Sequence, residues 1–288
     1  MEKNSSEIPS QQSGDTNWHR LRIPAMKAGL AMQIHKGTDS GVSRSIRNTG
    51  CWEQFETQLV LDWLKSGNTF VDVGANIGYY TLIATQRVGN QGQIYAFEPD
   101  PDNFQLLRAN LMQGDLTSSR TSARDGVTLY QAALGDHQGT TRLYLNKSNR
   151  GDHQIYDNRS GRKSITVQLH HGDTVLAHLC CADLIKIDTQ GAEYQVLSGL
   201  SNLIRRSLPR LALVLEFWPR ALVRAGDSSQ ALCELLSQLK LEARLIDHVN
   251  HRLEPRSIRW LERWGNWSES PEGNEGFVNL WLTGAGLS

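Results

Sequence analysis

The chain has 288 residues, enough for one large domain with a full hydrophobic core, so it needs none of the staples of small proteins. Its 30 basic and 30 acidic side chains cancel, which leaves no global field for a nucleic-acid backbone, and no run approaches the ~18 apolar residues of a membrane span. The four cysteines (Cys51, Cys180, Cys181 and Cys233) have no CxxC spacing, and the adjacent pair is too close for an unstrained bond, so a reduced, cytoplasmic setting is expected.

Residues 1–17 are polar, lack the apolar centre of a secretory signal, and read as a flexible tail. Residues 18–68 form a lead-in. It holds a short extended piece over 31–35, a polar run over 43–49 with no assignable element, and a helix over 53–65. That helix follows from Phe55, Leu59, Val60, Trp63 and Leu64 at helical spacing, closed by Ser66 and Gly67. From residue 69 to 288, strand-like and helix-like runs alternate. Strands are expected over 69–73, 93–97, 127–131, 184–188, 211–217 and 244–247, with helices over 79–86, 103–112, 192–200 and 229–240.

This alternation predicts an α/β fold with a mostly parallel seven-stranded sheet covered by helices on both faces. The last run, 277–283, has no helix after it and is expected to return antiparallel at or near the sheet edge. Two insertions break the rhythm and are placed near the active site, where loops vary without disturbing the scaffold. They are 139–168, read as a β-hairpin around a polar loop, and the tryptophan-bearing 252–275.

Ligands of open α/β sheets bind beyond the carboxyl ends of the strands, and the first strand ends in Asp72, Val73, Gly74, Ala75, Asn76, Ile77 and Gly78. Gly74 and Gly78 permit a tight turn and close ligand approach, and the helix opening near Tyr79 presents free N–H groups. Glu98 ends the second strand, where a carboxylate can accept hydrogen bonds from both ribose hydroxyls. A dinucleotide loop would carry glycine where Asn76 stands, and Asp72 would repel a diphosphate yet suit the cationic amino-acid end of S-adenosylmethionine. Ala132, after the third strand, suits an adenine edge, although a plain strand-to-loop transition reads nearly as well.

At three stretches the chain resembles the FkbM-type methyltransferases. These are Val71 to Tyr80, Ala96 to Pro101 and, most specifically, Ile185-Lys186-Ile187-Asp188 with Gly191-Ala192-Glu193 after it. The resemblance covers about 53–283 and implies a Rossmann-like methyltransferase fold, S-adenosylmethionine as cofactor, and a sugar or natural-product hydroxyl as acceptor. On that analogy Asp72, Gly74, Asn76 and Glu98 hold the cofactor, and the Gly151-Asp152-His153 run looks like a feature of the family's inserted loop. Many members have Glu where Gln190 stands, so no catalytic weight falls there.

An alcohol acceptor needs a base, and Asp188, His153, Glu193 and Glu216 are the candidates. The three carboxylates are alternatively a divalent-metal set, although no metal site is assigned. Glu193 reads equally well as a carboxylate at a helix N-terminus, and Lys186 as the partner of a carboxylate. His170, His171, Asp173 and His178 match no zinc spacing, and Trp260, Trp264 and Trp267 read as helical packing before a stacking platform. Asp188-Thr189-Gln190-Gly191 is not the Pro-Pro-aromatic run of adenine-N6 enzymes, so nucleic acid is not the expected partner. The remaining alternative outside catalysis is a protein that binds the methyl donor without turning it over.

Overall fold

A computed structural model describes residues 17–24, 26, 29–37, 39–113, 126–157 and 160–286; the tail expected over 1–17 lies outside them except for Asn17. The lead-in forms an antiparallel ribbon, β1 (Trp18–Arg20) on β2 (Ala31–Gln33), followed by α1 (Val42–Thr49) and α2 (Gln54–Trp63). Helix α1 is the polar run without an assigned element. It buries only Ser43 and Ile46, and it stops at Gly50 in the left-handed conformation.

The expected alternation follows: β3 (Thr69–Val73), α3 (Tyr79–Val88), β4 (Gln93–Phe97), α4 (Pro101–Gln113) and β5 (Val127–Tyr130). The first insertion supplies β6 (Ala133–Gly135), β7 (Gly139–Tyr144), β8 (Ser164–His171) and the short α5 (Gly172–Val175). The second half runs β9 (Leu184–Ile187), α6 (Glu193–Gly199), α7 (Ser201–Ser207), β10 (Ala212–Phe217), α8 (Pro219–Ala225), α9 (Ser229–Gln238) and β11 (Leu241–Asp247). It then closes with β12 (Arg252–Arg256), α10 (Ile258–Glu269) and β13 (Val278–Gly284).

The main sheet has the order β12-β11-β13-β10-β9-β3-β4-β5, with β10, β9, β3, β4 and β5 mutually parallel. The Rossmann-like architecture forms as expected, with two corrections. The sheet has eight strands rather than seven, because Arg252–Arg256 adds a strand on β11. Its charges and Pro255 hid it, and both are tolerated where one side of a strand has no partner. Strand β13 is antiparallel, but it lies inside the sheet between β10 and β11, where Asn279 to Gly284 is buried throughout.

The first insertion forms the expected hairpin, β7 on β8, widened by β6 running parallel to β8. The main sheet carries a core on each face. One gathers Val71, Val73, Ile185, Ile187, Leu213 and Leu215 under α6, α7, α9 and α10; the other gathers Phe70, Leu184, Ala212, Val214 and Trp281 under α2, α3 and the lead-in. Strand alternation therefore puts Asp72, Lys186, Glu216 and Asn279 on the second face, at the strand ends nearest α2 and α3.

Candidate active site

Chain direction reverses its march across the sheet between β3 and β9, and a cavity opens beyond the carboxyl ends of these two strands. Its walls include Asp72, Gly74, Ala75, Asn76, Glu98 and Ala132, together with His153, Asp188 and Glu216. The loop after β3 is folded for close approach. Gly74 has φ +83°, and a Cβ there would stand 1.9 Å from the Asp188 carbonyl oxygen, so only glycine fits between the two strand ends. Asn76 also has positive φ, 52°. Gly78, at φ +86°, precedes α3 and packs on Leu107 of α4 rather than on the cavity.

Glu98 is buried and draws the loop together. Its Oε2 accepts the Asn76 N–H at 2.8 Å and its Oε1 accepts the Asp100 N–H at 2.8 Å. Burial pushes its carboxyl up to about 8, with the Asp100 and Asn76 N–H groups pulling the other way. Asp72 is tied more tightly to the scaffold than its assignment to the donor's cationic end anticipates. Its carboxylate accepts the Thr81 hydroxyl at 2.5 Å, fixing the first turn of α3, and burial pushes it up to about 6.

A second group of polar side chains forms the other half of the cavity. Asp188, 29% exposed, accepts from Lys186 Nζ at 2.9 Å and from Gln190 Nε2 at 3.0 Å. Gln190 also donates to Glu216 Oε1 at 2.8 Å, joining the two carboxyl groups. Burial, with Asp188 and Glu193 close by, holds the Glu216 pKa well above its usual range. Lys186 is buried beneath the Tyr80 ring, 4.9 Å from its centroid. Burial works to lower its pKa, but Asp188, Glu56, Glu53 and Asp72 outweigh burial and keep it charged. The expected pairing of Lys186 with a carboxylate is therefore met.

Two of the four candidate bases, Glu193 and His153, accept backbone N–H groups of their own loops. Glu193 does not belong to the cavity wall. Its carboxylate turns back onto its own loop, accepting the Gly191 N–H at 2.9 Å and the Thr189 N–H and hydroxyl at 3.1 Å. Burial pushes it up to about 7. This is the helix N-terminal role, and it fixes the turn that carries Asp188 and Gln190. His153 does reach the cavity, but its Nδ1 accepts the Asn146 N–H at 3.0 Å, which leaves the proton of the neutral ring on Nε2. That Nε2 is buried without a hydrogen-bond partner and stands 3.8 Å from Asp100 Oδ2.

The inserted loop closes one side of the cavity through Arg150. Its carbonyl accepts from Asn76 Nδ2 at 3.2 Å and Asn103 Nδ2 at 3.1 Å, and its N–H donates to Asp39 Oδ1 at 2.9 Å. Residues 252–275, the second insertion, contribute nothing to the cavity wall among the described residues. Trp260 and Trp264 stack at 6.3 Å, and Trp264 packs on Phe217, which is the packing role. The histidine-rich stretch disperses as well: His171 caps α5, His178 meets the Tyr95 hydroxyl, and Asp173 accepts from the N–H groups of Asn202 and Leu203. Sequence reasoning missed Glu53, Tyr80 and Asn279, which come to the site from segments up to 226 residues apart. The one signal for Asn279 was a polar residue at a core-facing position of an apolar strand.

The family model described as "Methyltransferase FkbM domain" matches residues 72–240. The chain is 25% identical over 198 residues to the hexuronic acid methyltransferase AglP of Haloferax volcanii, spanning 67% of this chain and 71% of that protein. It is also 25% identical over 214 residues to the 31-O-demethyl-FK506 methyltransferase FkbM of Streptomyces tacrolimicus, spanning 63% and 75%. Among solved structures, a putative rRNA-methylase from Clostridium thermocellum superposes with a TM-score of 0.46 at 12% identity, over 79% of this chain and 92% of the other.

Proposed function

The chain belongs to the FkbM methyltransferase family, and from that premise we propose that it methylates a hydroxyl oxygen of a sugar or natural-product acceptor, with Asp188 as the base. The methyl donor of the family is S-adenosylmethionine, which when bound supplies an electrophilic methyl group on a sulfonium. The residues present fit it. The Gly74 to Ile77 loop lines the cavity, Glu98 is a buried carboxylate with only N–H and amide partners, and Ala132 leaves room for an adenine edge. Asp72 contributes from below, through a carboxylate shared with Thr81.

The observation that carries the reading is the setting of Asp188. Its carboxylate stands just beyond the paired ends of β3 and β9, open to the cavity, and Lys186 and Gln190 fix its orientation. Methyl transfer to an alcohol asks the protein mainly to align the nucleophile and to take up its proton, and a fixed, partly exposed carboxylate does the second. Glu216 acts through Gln190, holding the amide that holds Asp188. Two relatives named for a hexuronic acid and for the 31-O position of FK506 support an oxygen acceptor on a small molecule.

Replacement of Asp188 by Asn tests the assignment. It is expected to lower transfer of labelled methyl by about 10²- to 10⁴-fold while leaving S-adenosylhomocysteine affinity within a few-fold. Turnover that persists in Asp188→Asn places the base elsewhere.

A further inference from the structure

Beside the cavity, but behind its wall, Glu53, Glu56 and His248 bring one ligand atom each to within 4.8 Å of one another. Asn279 reaches into the middle of this group. Its Nδ2 lies 3.2 Å from Glu53 Oε1, 2.8 Å from Glu56 Oε2 and 3.3 Å from His248 Nε2. An amide nitrogen carries two hydrogens, so it cannot donate to three acceptors at once. Both carboxyl groups and, in the tautomer that leaves Nε2 bare, the imidazole therefore converge on one amide group.

Two buried atoms in the same group have no hydrogen-bond partner, Glu56 Oε1 and Asn279 Oδ1. Lys186 offsets part of this charge through an ion pair with Glu56 at 4.0 Å, but its close partner is Asp188 at 2.9 Å, so it makes no hydrogen bond to Glu56 Oε1. Two carboxylates facing each other in a buried site repel unless a proton or a cation lies between them.

We propose that Glu53, Glu56 and His248 bind a divalent first-row transition ion such as Mn²⁺ or Zn²⁺, with Asn279 as fourth ligand once its amide turns to present Oδ1. Two carboxylates, an imidazole and an amide oxygen form a mixed oxygen and nitrogen set, which suits these ions better than the all-oxygen preference of Ca²⁺ or Mg²⁺. Ligand atoms about 2.1 Å from an ion stand roughly 3–3.5 Å apart, so closing the set draws the three side chains together by about an ångström. Glu53 belongs both to this group and to the cavity wall, whereas Glu56 and His248 do not touch the cavity. An ion here would face the acceptor end of the cavity through one shared residue.

The site is tested on the full chain, stripped with a chelator, dialysed, and titrated calorimetrically with Mn²⁺ and then with Zn²⁺. S-adenosylhomocysteine binding is measured in parallel as a check on the fold. The wild type is expected to take up one ion per chain, and Glu56→Gln and His248→Ala are each expected to weaken that uptake by at least about tenfold while donor-site affinity is kept. His248→Ala carries the test if the deeper Glu56→Gln fails to fold. Absence of stoichiometric uptake of either ion by the wild type, or equal affinity in a folded variant, overturns the proposal. Neither outcome depends on the acceptor or on turnover, so failure here leaves the methyl-transfer reading standing.

Discussion

Glu98 binds its proton far more tightly in the folded chain than in the unfolded one, because burial raises its carboxyl from 4.5 up to about 8. Its contribution to stability is accordingly full below pH 4.5 and is lost as the pH rises through about 8. Ribose hydroxyls donate to the ionised form, so donor binding draws on the deprotonated fraction. S-adenosylhomocysteine affinity is therefore expected to rise about tenfold per pH unit up to a plateau near 8, and Glu98→Gln to flatten the profile and weaken binding throughout. Calorimetry at several pH values checks this, and a flat wild-type profile contradicts it. Glu98 and Asp188 could be placed from the sequence because each ends an apolar run that reads as a strand. The sequence marks Glu193 and His153 as candidate bases, but it could not foresee the N–H groups their side chains meet: Gly191 and Thr189 in one case, Asn146 in the other.

At the level of elements, the contact between the β3 loop and the end of β9 is the tightest in the site. Gly74→Ala must relieve a Cβ 1.9 Å from a carbonyl oxygen as well as a φ of +83°, and it is expected to cost roughly 2–5 kcal/mol. Gly67→Ala has the same φ with nothing within 4 Å and should cost only about 1 kcal/mol. Denaturant midpoints of the two variants separate close packing from backbone strain. The inserted loop rests on Asp39, whose two carboxylate oxygens accept the N–H groups of Arg150 and Ser43. Asp39→Ala is expected to speed tryptic cleavage at Lys147 or Arg150 and to weaken donor affinity several-fold. Unchanged cleavage would mean that Asn76, Asn103, Asp102 and the Ser40 N–H suffice to hold the loop.

The strands and helices of this region were legible because burial on one or both faces imposes a clear period on the chain. Helix α1 was not, since it fully buries only two residues of a polar run. Strand β12 was hidden by the Arg252, Glu254 and Arg256 ion pairs that mark it as an edge. The interior place of β13 follows from pairing with β10 and β11, which no local pattern encodes.

At the scale of the whole molecule, one sheet separates two cores and gathers charge where its strands end. Asp72, Lys186, Glu216 and Asn279 share a face because each falls on the same phase of strand alternation, and α2 and α3 bring Glu53, Glu56 and Tyr80 against them. The same polar residues interrupt otherwise apolar runs, which is how a sequence marks a functional end of a strand. Their partners on α2 and α3 are supplied by the fold alone. No helix among the described residues is long and apolar enough to cross a membrane. The most direct measurement is mass spectrometry of whole-cell extracts incubated with the chain and isotopically labelled S-adenosylmethionine, then separated into small-molecule and nucleic-acid fractions. The account predicts a labelled methyl ether on a hydroxyl-bearing sugar or natural product, lost with Asp188→Asn, and label appearing only on nucleic acid would contradict it.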